Sequence, residues 1–170
     1  MAFEKRLASL FALDEEGWAR HANPWSGYSR MVTGLPLLAL AVWSRVWIGW
    51  WWLMALAAAL AWLWLNPRLF TPPADDSDWM TRGVLGERLW VERTTNAVEF
   101  QGKGRVTTLN LIAGLGAFAM VYGLVMLDLI WAMVGGAVAW MAKTWFIHIM
   151  SRHYDRVVKQ RPELRYRGSN

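Results

Sequence analysis

Two long apolar blocks, residues 31–65 and 106–150, limit what this chain can become. A bilayer core of about 30 Å takes about 20 helical residues, so each block is too long for one crossing. Each is also broken near its middle by a polar turn. The pattern predicts an all-α membrane protein with four transmembrane helices in two hairpins, over residues 28–43, 46–65, 107–124 and 129–149, plus interfacial amphipathic helices. The first of these is the shortest, at about 24 Å for a rise of 1.5 Å per residue, which leaves a re-entrant hairpin as its alternative. The whole chain, 1–170, reads as a single membrane domain. Residues 1–27 form a cytoplasmic interfacial segment, 66–105 a cytoplasmic loop carrying a short helix, and 151–170 a basic cytoplasmic tail.

Charge placement sets the expected orientation. Basic residues crowd the segments before, between and after the blocks, whereas Arg45 alone marks the first hairpin turn and Asp128 alone the second. By the positive-inside rule both termini and the central loop are cytoplasmic. Most of the 14 tryptophans fall at or near predicted span ends, where an indole keeps its ring in the apolar layer and its N–H hydrated. With no cysteine, disulfides, thiolate metal sites and cysteine nucleophiles are excluded together. The charged first residues lack the continuous apolar stretch of a cleavable signal peptide.

Small residues predict where helices meet. Ala55 and Ala59, Ala57 and Ala61, Ala113 and Ala117, and the set Ala132, Gly136 and Ala139 recur at helical spacing, which lets backbones approach closely. Phe3, Leu7, Leu10, Phe11 and Trp18 give the N-terminal segment an apolar stripe that suits the headgroup plane. In the central loop, Ser77 or Asp78 is the expected cap of a helix with Trp79, Gly83, Gly86 and Trp90 along one face. Its two glycines cost about 1 kcal/mol each relative to alanine, so the membrane or the bundle must hold it.

Five strings stand out at or near the predicted span ends: His21-Ala22-Asn23-Pro24-Trp25-Ser26, Trp43-Ser44-Arg45-Val46-Trp47-Ile48-Gly49-Trp50-Trp51, Asn66-Pro67-Arg68-Leu69-Phe70, Gly86-Glu87-Arg88-Leu89-Trp90 and Lys143-Thr144-Trp145-Phe146. Together, over residues 15–155, they resemble an uncharacterised family of small multi-span prokaryotic membrane proteins, a domain of unknown function. The resemblance implies a membrane location and no activity; the expected location is the bacterial plasma (inner) membrane, crossed several times. It also implies that His148 is a poor ligand candidate, because an acidic residue often stands there in that family.

Candidate binding residues are His21, Asn23, Asn66, Arg68, Glu87, Arg88 and Lys143. A guanidinium, two amides and an imidazole near neutral pKa suit a phosphorylated headgroup. Their ordinary roles are equally plain: Asn-Pro pairs turn or cap helices, Lys143 snorkels outward, Arg45 anchors the outer interface against indoles, and Asp128 is solvated. His148 and His153 stand about 140° apart on a helix, so no shared metal face forms. No metal, cofactor or catalytic residue is expected, nor a nucleic-acid partner, and the enzyme question leans to no. The expected function is a non-catalytic helical bundle acting as a homo-oligomer or accessory subunit, with anionic membrane lipids as partners. The alternatives are a headgroup- or phosphate-binding protein or enzyme with a site at the cytoplasmic interface, and a small transporter or channel.

Overall fold

Long apolar runs without the period-two alternation of a strand fold here as helix. The computed structural model describes residues 15–92, 99–100 and 102–168. Among them every regular element is helical: α1 (Glu15–His21), α2 (Pro24–Trp43), α3 (Arg45–Ile48), a 3-10 turn (Gly49–Trp51), α4 (Trp52–Leu69), α5 (Trp79–Val91), α6 (Lys103–Met126), α7 (Leu129–Gln160) and a second 3-10 turn (Pro162–Leu164). Three stretches, Pro24–Leu69, Lys103–Met126 and Leu129–Gln160, are long and apolar enough to cross a membrane. Phe3, Leu7, Leu10 and Phe11 of the expected amphipathic segment lie outside the described residues.

The element ends differ from the sequence expectation for local reasons. α2 starts at Pro24 and runs 20 residues, about 30 Å, because Pro24 sits at the first helical position, where its missing N–H costs nothing. α4 begins only at Trp52. Gly49, at φ +52°, takes a backbone conformation that side chains disfavour, so Trp50 and Trp51 stand in a 3-10 turn ahead of α4, and both are exposed, as is Trp47 of α3. Past Asn66-Pro67 the helix continues to Leu69, and α7 runs on to Gln160, well beyond residue 149.

The chain divides into two units. The first comprises Met1–Tyr28, Asn66–Lys103 and Ile147–Asn170. Its core gathers Trp18 and Ala22 of α1 and the residue after it, Val84, Leu85 and Leu89 of α5, and Tyr154 and Val157 of α7. Asp78, rather than Ser77, caps α5 by accepting from Met80 N at 2.7 Å. The two glycines of α5 then explain themselves. A Cβ on Gly83 would strike the Ile147 side chain, and one on Gly86 the Met150 carbonyl oxygen. The helix packs within this unit through its buried face, which includes Met80, Thr81, Val84, Leu85 and Leu89.

The second unit comprises Ser29–Leu65 and Gly104–Phe146. Gly116 faces Gly135 and Ala139, and Gly123 faces Trp131 and Ala132; position rises on α6 as it falls on α7, so the two helices run antiparallel. The contact stripe is therefore Gly116, Gly123, Ala132, Gly135 and Ala139. The expected Ala113 and Ala117 are only half-buried, and a Cβ on Gly136 meets nothing closer than the flexible Met120 sulfur at 3.3 Å. On α4, Ala59 is buried while Ala57 and Ala61 are exposed. Trp62 Nε1 donates to Thr33 Oγ1 at 3.0 Å, tying α4 to α2.

Polar groups of the turns are used up locally. Arg45 donates to the carbonyls of Leu124 and Val125, closing the C-terminal end of α6, where carbonyls lack helical partners. Asp128 accepts from Ile130 N at 3.0 Å and Trp131 N at 3.1 Å. It is the cap of α7 rather than a merely solvated charge. An apolar recess of about 700 Å³ lies in this unit, lined by Leu35, Ala39, Trp43, Met120, Ala132 and Trp140 among others.

If glycine sets the α6–α7 distance, Gly135→Ala lowers the melting temperature in detergent, at a cost of about 1 to 3 kcal/mol for overpacking. Gly114, whose Cβ position is open, tolerates the same change. Equal melting curves for the two variants would dismiss the close contact.

Candidate functional site

The Asn-Pro motifs meet in the first unit. Asn23 stands just before α2, and its Oδ1 accepts from Trp25 N at 2.9 Å and Ser26 N at 3.3 Å, the geometry of an N-cap. Its Nδ2 donates to Thr71 O at 2.8 Å. One turn into α2, the fully buried Ser26 Oγ donates to Asn66 Oδ1 of α4 at 2.9 Å, and Asn66 is itself fully buried. Both amides are thus engaged in joining the start of α2 to the end of α4. Thr81 of α5 adds a third tie, donating from Oγ1 to Ala22 O at 2.8 Å. Ala22 lies at the end of α1, so one buried polar cluster fastens α1, α2, α4 and α5.

The remaining candidate residues divide. His21, at the end of α1, meets the Trp18 ring edge-on at 5.9 Å. Arg68 is half-buried in the last turn of α4, and Glu87 is half-buried on α5. Arg88 pairs with Glu92 one turn on, Nε to Oε1 at 3.1 Å. Lys143 belongs to the second unit, where its Nζ lies 4.3 Å from the centre of the Phe146 ring, an arrangement with a cation–π attraction. Of the seven residues, Asn23 and Asn66 are brought together through Ser26, and they act there as helix ties.

A second polar network escapes sequence reasoning entirely. Asp76, in the turn before α5, accepts from Tyr154 OH of α7 at 3.1 Å and from Arg165 Nε of the tail at 3.1 Å. Tyr166 N donates to Tyr154 OH at 2.9 Å, and Tyr166 OH donates to Pro73 O at 3.1 Å. Burial pushes the Tyr154 phenol up to about 12, and the Asp76 carboxylate beside it acts in the same direction. Arg82 lies 3.4 Å from Asp155 of α7 and donates to Ser77 O at 2.6 Å. The basic tail is visible as charge in the sequence, but its pairing with Asp76 across 89 positions is a product of the fold.

His153, beyond the apolar run of α7, is buried with both ring nitrogens lacking a hydrogen-bond partner among the described residues. Phe100 meets it edge-on at 4.7 Å, and Trp90 packs on Phe100 in turn. Burial lowers the imidazole to about 4, with the nearby Arg156 charge acting the same way. At neutral pH it is an uncharged packing residue.

The model of a family described as "Family of unknown function (DUF6653)" matches residues 2–170, and the chain belongs to that family. No curated protein and no solved structure matches it.

Two outcomes follow from this geometry. Asn66→Leu strands the buried Ser26 hydroxyl, so it lowers stability by about 1 to 3 kcal/mol, while Ser26→Ala with Asn66→Leu together recovers part of the loss. Thermal unfolding of the three variants measures this, and strictly additive losses would dissolve the tie. For His153, the unfolded imidazole gains a proton near 6.5 and the folded one only near 4. The unfolded chain therefore binds more protons between these values, and stability falls as pH drops. The loss between pH 7 and pH 5 amounts to about 2 kcal/mol. His153→Phe flattens that part of the profile; an unchanged slope in chemical denaturation would remove His153 as its source.

Proposed function

As a DUF6653 member, we propose, this protein is a bacterial inner-membrane bundle of four spans in two hairpins that works by associating with other membrane segments and not by catalysis. Both termini and the central loop face the cytoplasm. The observation that carries this reading is a division of labour among side chains. Large apolar groups are turned outward along the long helices, among them Val32, Met54, Leu111, Phe118, Ile130 and Met133. Of the polar motif residues, Asn23 and Asn66 tie the ends of α2 and α4, and Arg88 pairs with Glu92 at the end of α5.

Outward apolar surface of this extent is stable in lipid and unstable in water, and in lipid it is the surface on which helices meet. The 20-residue length of α2 supports a full first crossing in place of a re-entrant turn. The apolar recess among α2, α6 and α7 adds contact area to the same surface. On this reading the protein is either its own partner, as a homo-oligomer, or an accessory subunit of a larger membrane complex. Asn23, Asn66 and Arg88 then serve as scaffold, and His21, Arg68, Glu87 and Lys143 remain the side chains to test for headgroup contact.

Topology and association are tested together. Reporter fusions at Arg45 and Leu127 read outside, and fusions at Ser77 and after the C-terminal residue read inside. In mild detergent the purified chain has the mass of more than one copy or brings a second membrane subunit with it. An inside signal at Leu127 sinks the four-span topology; a lone monomer with no companion in detergent or after crosslinking in membranes sinks the associative role.

A further inference from the structure

Past Met150 the sequence of α7 becomes polar, yet the helix does not end; it continues to Gln160. This extension has two unlike faces. Met150, His153, Tyr154 and Val157 are buried, with Tyr154 and Val157 in the core shared with α5. At 100° per residue, Arg152, Arg156 and Lys159 fall within a narrow arc on the opposite side, and all three are exposed. None of them forms an ion pair with a described residue. The one carboxylate within residues 147–160 is Asp155. It lies beside them in sequence but reaches to Arg82 on α5, 3.4 Å away. The fold thereby removes the group that would neutralise the stripe.

We propose that Arg152, Arg156 and Lys159 form a binding site for the headgroups of anionic phospholipid. Position argues for lipid over a soluble anion. Arg152 comes two residues after the apolar block ends, so at 1.5 Å per residue it stands about 3 Å beyond that end along the axis, and Arg156 about 9 Å. Long basic side chains at such a depth bend back toward the phosphate layer. Guanidinium groups bind phosphate oxygens in bidentate fashion, and two of the three residues are arginine. The leaflet assignment, cytoplasmic, rests on the topology proposed above; the lipid site itself rests on exposure, charge and place along α7.

The test uses the full chain in detergent with equal amounts of dioleoyl phosphatidylglycerol and dioleoyl phosphatidylcholine, read by native mass spectrometry. The wild type retains phosphatidylglycerol in preference. Each charge removed weakens that preference about fivefold, so R152Q/R156Q/K159Q nearly abolishes it, while the charge-keeping R152K/R156K holds most of it. Removing exposed charge elsewhere, in R105Q, changes it less. Equal melting temperatures for the variants show that folding is not the cause. The proposal is overturned if the triple glutamine variant keeps its preference within twofold, or if the wild type binds both lipids alike. It is also overturned if excess glycerol phosphate displaces the lipid completely, since the ligand would then be a soluble phosphate. A C-terminal reporter on the outer side would move the site to the other leaflet without touching the comparison between variants, so the two readings fail separately.

Discussion

Close backbone approach at glycine is the constraint on which both units depend. In the first unit Gly83 leaves room for the Ile147 side chain, and Gly86 brings its Cα over the Met150 carbonyl, so α5 lies close against α7. In the second, Gly116, Gly123 and Gly135 do the same for α6 and α7. Dispersion attraction falls steeply with a gap of even 1 Å, so the loss of intrinsic helix propensity at these positions, about 1 kcal/mol each, is offset by contacts that no larger residue allows.

With backbones this close, polar groups at helix ends must be satisfied within the protein. Burying an unpaired amide or hydroxyl costs several kcal/mol, and the chain answers with short-range and long-range ties. Asn23, Ser26, Asn66 and Thr81 serve one set of helix ends; Arg45 and Asp128 serve the turns of the other unit. The same chemistry that suggested a phosphate site, amides and guanidinium groups beside a membrane surface, is what helix termini require. Residue type alone does not separate the two uses.

His153 illustrates the opposite economy. Its imidazole is enclosed beside Phe100 with neither nitrogen bonded to a described residue, and the neutral form persists because burial penalises the cation. Arg152 and Arg156 on the other side of the same helix stay exposed. One helical turn thus holds a silent ionisable group inward and active charges outward, a separation made by the 3.6-residue period.

The helical class and the presence of apolar helices long enough to cross a membrane were legible in the amino-acid sequence, because solvent transfer and helix propensity act residue by residue. The need of the Gly83–Gly86 helix for outside support was legible for the same reason. What only the tertiary structure decided is which neighbours meet. Gly135 rather than Gly136 faces α6, since a one-residue step rotates a position by 100°. Asp128 and Asn23 became caps because their backbones sit at helix starts. Asp76 found Arg165 and Tyr154 at separations of 89 and 78 residues, and Asp155 turned to Arg82. Those outcomes depend on the packing of distant segments, and a linear pattern of residue types carries no record of that geometry.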